Sequence, residues 1–597
     1  MKRLVFLILV IALLAVSLSG CDLLESLFKS EPFDFYLNEE GTGYCLAHIN
    51  DHEMIEIVIP DTYKGLPVVG ISGLQGRSDI VSVTLPETIT DIGDYTFDGC
   101  TSLTSINIPD SVTHIGAFAF QGCENLVKKQ DGIHYVGKWI VGCDEQLDTY
   151  TPTLRGDTIG IADRGLRPHS ICHSVKLPSA LRYIGSEAIE FNWNADTAEP
   201  APVLELPEGL VSIGWSFIAC QYPAISVPAS LTDIAPGAFH DCWSLTELTI
   251  AEDNPAYTAE NGVLYSKDKT VLLSCINRQS LEHITVPDGV TRIEEAAFHR
   301  SEGLKSVTLP EGLVSIGAHG FSECLALESI NLPSSVTVIN QYAFYWCTSL
   351  KSITIPAGVT ELSGCTFSGC TSLKEVTFAP GTQIGKIYAS TFEGCTSLET
   401  FTVPASADVS SESFRGCTSL KEYIVEEGNK IYFTRDGVLY ANWPDGIALV
   451  DYPSAKEDTS FTVPEDVIGI HSHAFDNCRY LQSISLPAGM TYLSEMTITD
   501  CENLQTVTFP ADCRIEAFHQ CNFRNCTALK EITIPASVTQ IDESVFQGCT
   551  ALQTLTFESD KSWSFDGQEY TVAQLQSPEG IELFVNPPSH SRWTQIP

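Results

Sequence analysis

A phrase of 23 residues, written over and over, restricts this chain to folds in which similar units stack. Phe97-Asp98-Gly99-Cys100-Thr101-Ser102-Leu103 leads into Ile106-Asn107-Ile108-Pro109, then Ser111-Val112-Thr113 and Ile115-Gly116. The phrase returns from Phe344 through Cys347-Thr348-Ser349-Leu350 to Ile353-Thr354-Ile355-Pro356, and again from Phe546 through Cys549 to Leu552. Single residues carry the period as well: Cys324, Cys347 and Cys370 stand 23 apart, as do Pro287, Pro310, Pro333 and Pro356. About 19 copies run from Ile57-Val58-Ile59 to Leu555-Thr556-Phe557. A few are degraded. Leu166, His169 and Cys172 stand where Phe, Cys and Leu belong, and Ser301 replaces a cysteine.

Each unit is too small to fold alone. Leu103, Ile106 and Ile108 give a short extended segment one apolar face, while Ser105 and Asn107 point the other way. Pro109 ends the ladder because it has no N–H to donate. Val112 and Ile115 make a second extended stretch, and Gly116 with the following Ala-Phe phrase predicts a tight turn or a single helical turn that returns Phe120 inside. Stacked copies bury what one copy cannot, because neighbouring strands pair about 4.8 Å apart and the Leu, Ile, Val and Phe columns merge into one core. The expected fold is mainly β, a solenoid of about 19 coils with a parallel sheet and short helical turns.

The phrase F-x-G-C-T-S-L-x-x-I-x-I-P-x-S-V-T-x-I-G resembles the 23-residue leucine-rich repeat of bacterial surface proteins called BspA-like or treponemal-type. The resemblance extends over about residues 51–557. It implies export, display at the cell surface, and adhesion to host proteins or other cells. It implies no catalytic residues.

Three departures interrupt the period, at residues 124–170, 251–283 and 426–460. Each contains a related phrase, Asp131-Gly132-Ile133-His134-Tyr135, Asn261-Gly262-Val263-Leu264-Tyr265 or Asp436-Gly437-Val438-Leu439-Tyr440, followed by turn residues and a second apolar run. That pattern predicts a β-hairpin inserted into a coil. Residues 21–50 are expected to be a tether and N-terminal cap. Residues 558–597 leave the repeat with Trp563, Tyr570, Leu575, Phe584 and Trp593, and predict a β-rich cap over the last open core face.

The amino terminus has the pattern of an export signal in residues 1–20. Met1-Lys2-Arg3 precedes an apolar run of 13 residues, Leu4 to Val16, which is short for a bilayer span but right for a signal core. Leu18-Ser19-Gly20-Cys21 resembles a bacterial lipobox, so Cys21 is the expected lipidation site; the alternative is an uncleaved signal anchor with an incidental cysteine. The formal charge of the whole chain is −42. Such a surface repels a phosphate backbone, which excludes nucleic-acid partners, and leaves the lipid anchor as the one expected membrane contact.

Candidate chemistry is sparse. Of 21 cysteines, 13 share one repeat position. Stacked in register they point the same way, with Cβ atoms about 4.8 Å apart, beyond the usual ~3.5–4.5 Å for a bridge. Buried free thiols are the expected state. The cysteines outside the ladder show no CxxC spacing, and His471-Ser472-His473 has no third ligand at a recognisable spacing, so no metal and no cofactor is expected. No G-x-S-x-G elbow, H-E-x-x-H or phosphate-binding glycine loop is present. An outward strand column (Thr84, Asn107, Thr308, Asn331, Thr354, Thr377) offers hydroxyls to a glycan or peptide, yet threonine is also an ordinary exposed strand residue.

The hairpins discriminate better. Tyr257 and Tyr432 stand at matching places, as do Tyr135, Tyr265 and Tyr440, and residues that recur this way are expected to hold the hairpin on its coil. Trp443 does not recur: its counterpart in the middle hairpin is Asp268, and it adjoins Pro444-Asp445-Gly446 at the turn. It is the candidate partner-binding residue, against the alternative that its indole folds back on the neighbouring coil. The expected function is therefore a lipid-anchored, adhesin-like surface protein that binds a host or neighbouring-cell protein or glycan. A non-binding envelope spacer and an enzyme housed in an insertion or cap are the other readings.

Overall fold

The computed structural model describes residues 32–596 except 148–150, 169–173, 191–202, 220–221, 243, 277, 279, 411 and 588–591. Cys21, His169, Cys172 and Cys220 lie outside the described residues. The chain divides into two compact units, residues 1–257 and 258–597. Both are built on one β-solenoid pattern, with about 21 turns in all. The phrase count falls slightly short of this number because some turns lack the phrase: Gly160–Ile161 completes one between Trp139–Cys143 and Tyr183–Ile184.

In the first unit, Phe33–Leu37 and Tyr44–Ile49 form an antiparallel hairpin. Its second strand starts a parallel column that continues through Leu66–Ile71, Asp91–Ile92 and His114–Ile115. A second column, Glu56–Val58, Ser82–Thr84 and Ser105–Ile106, runs beside the first in register. Each strand is only two to six residues long, and its alternate residues (Ile57, Val83, Ile92, Ile115) lie in the core with Phe97, Cys100 and Leu103.

The second unit shows how the period becomes a core. Phe298, Phe321, Phe344, Phe367, Phe392 and Phe414 form one stack, with centroids 4.9 to 5.6 Å apart and ring planes within 8°. Each ring lies over its counterpart because the strands are paired without slippage, as in Ser352↔Glu375 through Ile355↔Phe378.

The arcs that join the strands differ from the expectation of short helical turns. They are successions of turns, most with two left-handed residues, such as Tyr342 at φ 58° and Trp346 at φ 56°. A non-glycine residue in that region costs roughly 1–2 kcal/mol. In return, successive peptide planes turn toward the neighbouring coil: the N–H groups of Phe344 and Trp346 donate to the carbonyls of Thr366 (2.9 Å) and Ser368 (2.8 Å). A helical turn would keep these bonds within one coil and leave the stack unpaired at its corners.

The cysteine ladder is buried, with no disulfide among the described residues. Its thiols do more than fill space. Each donates to a carbonyl of the preceding coil, with Cys324, Cys347 and Cys370 reaching Phe298, Phe321 and Phe344 at 3.1 to 3.2 Å. Burial pushes the thiols of Cys100 up to about 11 and those of Cys370 and Cys549 up to about 12.

The C-terminal cap is mixed rather than purely β-rich. A hairpin, Trp563–Phe565 with Gln568–Tyr570, is followed by the helices Val572–Leu575 and Pro578–Val585 and by the strand Trp593–Gln595, which pairs antiparallel with Gln540–Ile541. Trp563, Phe584 and Trp593 are buried in the same cluster as Phe546 and Phe557, closing the core end. These are the only helices among the described residues.

Candidate functional site

Each insertion is a hairpin whose second strand opens a fresh parallel column. Ile133–Val136 with Trp139–Cys143, Val263–Ser266 with Val271–Cys275, and Val438–Trp443 with Gly446–Asp451 are all antiparallel pairs. Their second strands then pair in parallel with the next coil, as in Trp139↔Gly160, Val271↔Arg292 and Ile447↔Val467. The recurring tyrosines are buried, which fits their expected role of holding the hairpins in place. Tyr432 caps the preceding column: its hydroxyl accepts from the Val409 N–H (3.1 Å) and donates to the Val409 carbonyl (2.8 Å). Tyr257 does the same for the preceding column in the first unit, accepting from the Ile234 N–H at 2.8 Å and donating to the Thr232 carbonyl at 3.2 Å.

An asparagine sets each of these tyrosines. The Asn429 side chain donates to the Pro404 carbonyl at 2.8 Å and accepts from the N–H groups of Ile431 (2.9 Å) and Tyr432 (2.8 Å). Asn254 repeats the arrangement with Pro228, Ala256 and Tyr257. At the base of the third hairpin, Arg435 forms a two-pronged pair with Asp466 (2.7 and 2.8 Å) and lies over the rings of Phe433 and Tyr440. The hairpin is therefore a rigid support.

Trp443 is the last residue of Val438–Trp443, paired with Gly446 across the Pro444-Asp445 turn. Its indole is 42 % exposed. The other face rests on the next two coils, with ring centroids 4.5 Å from His471 and 6.2 Å from Tyr492. The ring leans back on the neighbouring coils and still presents a face to solvent. Gly469 makes the arrangement possible: a Cβ there would fall 1.9 Å from the Tyr492 ring. Under the indole, His471 Nε2 and the Tyr492 hydroxyl are buried without a hydrogen-bond partner. Burial holds the His471 imidazole neutral, pushed down to about 4, and pushes the Tyr492 phenol up to about 12. Orphaned buried polar atoms are costly, about 1–3 kcal/mol each, and are unusual in native proteins. This spot combines an exposed aromatic face with polar groups that lack partners.

The other hairpin tips have no such face. Trp139 is 1 % exposed, stacked flat on Tyr183 at 5.8 Å. Asp268 closes its own turn by accepting from the Thr270 N–H and the Ser266 hydroxyl. The outward hydroxyl column is partly committed to the fold: Thr354 and Thr377 bond each other at 2.8 Å, and Asn107 bonds both backbone groups of Leu85. His471 and His473 are not joined by a third ligand, and no group of three His, Cys, Asp or Glu among the described residues is placed to hold a metal ion.

Sequence reasoning reached Trp443 through its lack of a counterpart, and considered His471 only as a metal ligand. It missed Tyr492. The signal was Gly469, a glycine in the second-strand column that faces a tyrosine one coil on, as Gly160 faces Tyr183.

The family model described as BspA type leucine rich repeat region, with six copies, matches residues 53–140, 168–266, 269–386, 337–435 and 454–568. Solved structures similar to the chain include a leucine rich cell surface protein from Faecalibacterium prausnitzii (26 % identity, 52 % of this chain and 96 % of that one, TM-score 0.44). A pneumococcal vaccine antigen, PcpA, is 24 % identical over 51 % of this chain and 82 % of its own, with a TM-score of 0.44. A leucine-rich repeat protein from Eubacterium ventriosum is 18 % identical over 81 % of this chain and 95 % of its own, with a TM-score of 0.32. No curated protein matches the chain closely enough to count as a relative. With the model matching well over half of its length, the chain belongs to the BspA-type leucine-rich-repeat family.

Proposed function

We propose that the chain is a lipid-anchored, adhesin-like protein of the bacterial cell surface that binds a protein or glycan partner, with Trp443 at the contact. The observation that carries this reading is the half-exposed indole on a rigid hairpin above two unpartnered polar atoms, a feature absent from the other two tips. Family membership supports the binding role, and the description of a similar structure as a cell surface protein supports export. The lipobox-like Leu18-Ser19-Gly20-Cys21 supports the anchor. An exposed tryptophan on a fixed support is the usual energetic anchor of a recognition surface.

The test is a binding titration of the purified chain against host matrix proteins, mucins and neighbouring cells. The reading expects saturable binding that the Trp443→Ala variant loses. The absence of any saturable partner would instead favour the envelope-spacer reading.

A further inference from the structure

A second aromatic face lies on the corner arcs of the other solenoid coils, and it breaks the repeat's own rule. The residue just before most of the described ladder cysteines is left-handed, and glycine commonly fills it, as at Gly99, Gly122, Gly369, Gly394, Gly416 and Gly548, with φ of 71° to 77°. In one coil the position holds Trp346, at φ 56°. The bulkiest side chain thus stands where the backbone favours none. Burial does not repay it, since the ring is 51 % exposed. Nor is the placement loose, because the indole lies across Gly369 of the next coil, where a Cβ would come within 2.4 Å of its Cδ1.

The neighbours form a graded surface. His319 stacks on Tyr342 at 4.7 Å and 6°, Tyr342 meets Tyr345 edge-on at 5.5 Å, and Tyr345 adjoins Trp346 at 6.1 Å. One coil back, the position of Trp346 is occupied by Glu323, whose N–H donates to the Tyr345 carbonyl at 2.6 Å and whose carboxylate takes the Arg300 guanidinium at 2.7 Å. The surface therefore offers an open indole, phenol rings and a carboxylate on neighbouring coils.

We infer that Trp346, Tyr345 and Glu323 form a binding site for a neutral saccharide chain, separate from the Trp443 site. A pyranose ring has an apolar C–H face that lies on an indole and a rim of hydroxyls that donate to a carboxylate and exchange hydrogen bonds with a phenol. The net charge of −42 disfavours sialylated or sulfated polymers. A proline-rich peptide needs parallel aromatic walls. Here the Tyr342 and Tyr345 planes are 86° apart and those of Tyr345 and Trp346 41°, which gives a fanned platform without a groove.

The experiment titrates the purified full-length chain with cellohexaose, xylohexaose, mannohexaose and laminarihexaose, using hyaluronan hexasaccharide and decaproline as comparisons. Binding is read by tryptophan fluorescence and calorimetry. The site expects saturable binding of at least one neutral hexaose. Trp346→Gly restores the glycine common at this position, so it should fold normally while lowering affinity at least tenfold, in the Trp443→Ala background as well; Glu323→Gln should lower it several-fold. No binding of any neutral hexaose, equal binding by Trp346→Gly, preference for decaproline or hyaluronan, or loss confined to Trp443→Ala would each overturn the proposal.

Discussion

The thiol of Cys347 donates a hydrogen bond to the carbonyl of Phe321, one coil back, across 3.1 Å. The same bond joins Cys123 to Phe97 and Cys549 to Phe523, at 3.1 and 3.0 Å. A repeat position that must be small, apolar and able to give one proton to a buried carbonyl is met by cysteine better than by alanine, which would leave the Phe321 carbonyl with only its turn bond from the Cys324 N–H at 3.3 Å.

This ladder predicts an alkaline limit to stability. The folded thiols of Cys100, Cys370 and Cys549 are held up to about 11 to 12, whereas an exposed thiol titrates near ~8.5. Their contribution is complete below the unfolded value and is lost as pH rises through the window from about 9 to 12, because only the unfolded chain can ionise freely. The denaturation midpoint should therefore fall steeply above pH 9. Cys370→Ala should lose about 1–2 kcal/mol at pH 7 and show a shallower alkaline slope. Ladder thiols should also resist alkylation until the chain is unfolded without reductant; mass spectra with adjacent ladder cysteines joined in pairs would contradict this state.

The fold was legible wherever the period governs the outcome. The strand columns, the Phe stack and the three hairpins follow from residues such as Leu103, Ile106 and Phe344, because a repeated apolar pattern has one way to bury itself. The corners were not legible, since the left-handed backbone at Tyr342 and Trp346 is imposed by bonds to the neighbouring coil against the preference of the residues. The cap helices were marked in the sequence and overlooked: Thr571 and Gln574 form a capping box, and Ser577 caps a helix that starts at Pro578. At the candidate site, the asymmetry of Trp443 was visible, but its partners come from two later coils. Register alone decides which rings arrive there.

Asn429 should matter more than its small size suggests. Replacing it with alanine removes one donor and one twice-used acceptor, leaves two N–H groups to find other partners, and leaves the Pro404 carbonyl with only the Ala407 N–H at 3.1 Å. Asn429→Ala should cost roughly 2–3 kcal/mol and release the amides of Ile431 and Tyr432 to hydrogen exchange. Unchanged protection of those amides would show that the hairpin is held by other contacts.

Cys21→Ser should release the chain from the membrane fraction or leave the precursor uncleaved. A variant processed and retained in the membrane like wild type would remove the lipid anchor from the proposed function.

Gly469 and Tyr492 form a testable pair. A methyl group at residue 469 would overlap the Tyr492 ring at 1.9 Å, so Gly469→Ala should destabilise by more than about 2 kcal/mol. Removing the ring first should relieve most of that cost, giving a coupling of roughly 1–3 kcal/mol in the double-mutant cycle of Gly469→Ala with Tyr492→Ala. Additive losses would mean that the strain lies in the Gly469 backbone, and Tyr492 would no longer be a fixed floor beneath Trp443.

Trp443 and Trp139 occupy comparable hairpins with opposite exposures, 42 % and 1 %, and this contrast separates recognition from packing. Trp139→Ala empties a core position and should cost about 3–5 kcal/mol. Trp443→Ala removes a ring that is stacked on one face alone, so its cost should stay below about 1.5 kcal/mol, while partner affinity should fall by at least ~2 kcal/mol if the indole is an anchor. Trp443→Phe keeps a ring over His471 and should retain part of the binding. A stability loss for Trp443→Ala that matches Trp139→Ala would make the indole a packing residue and withdraw it from the binding surface.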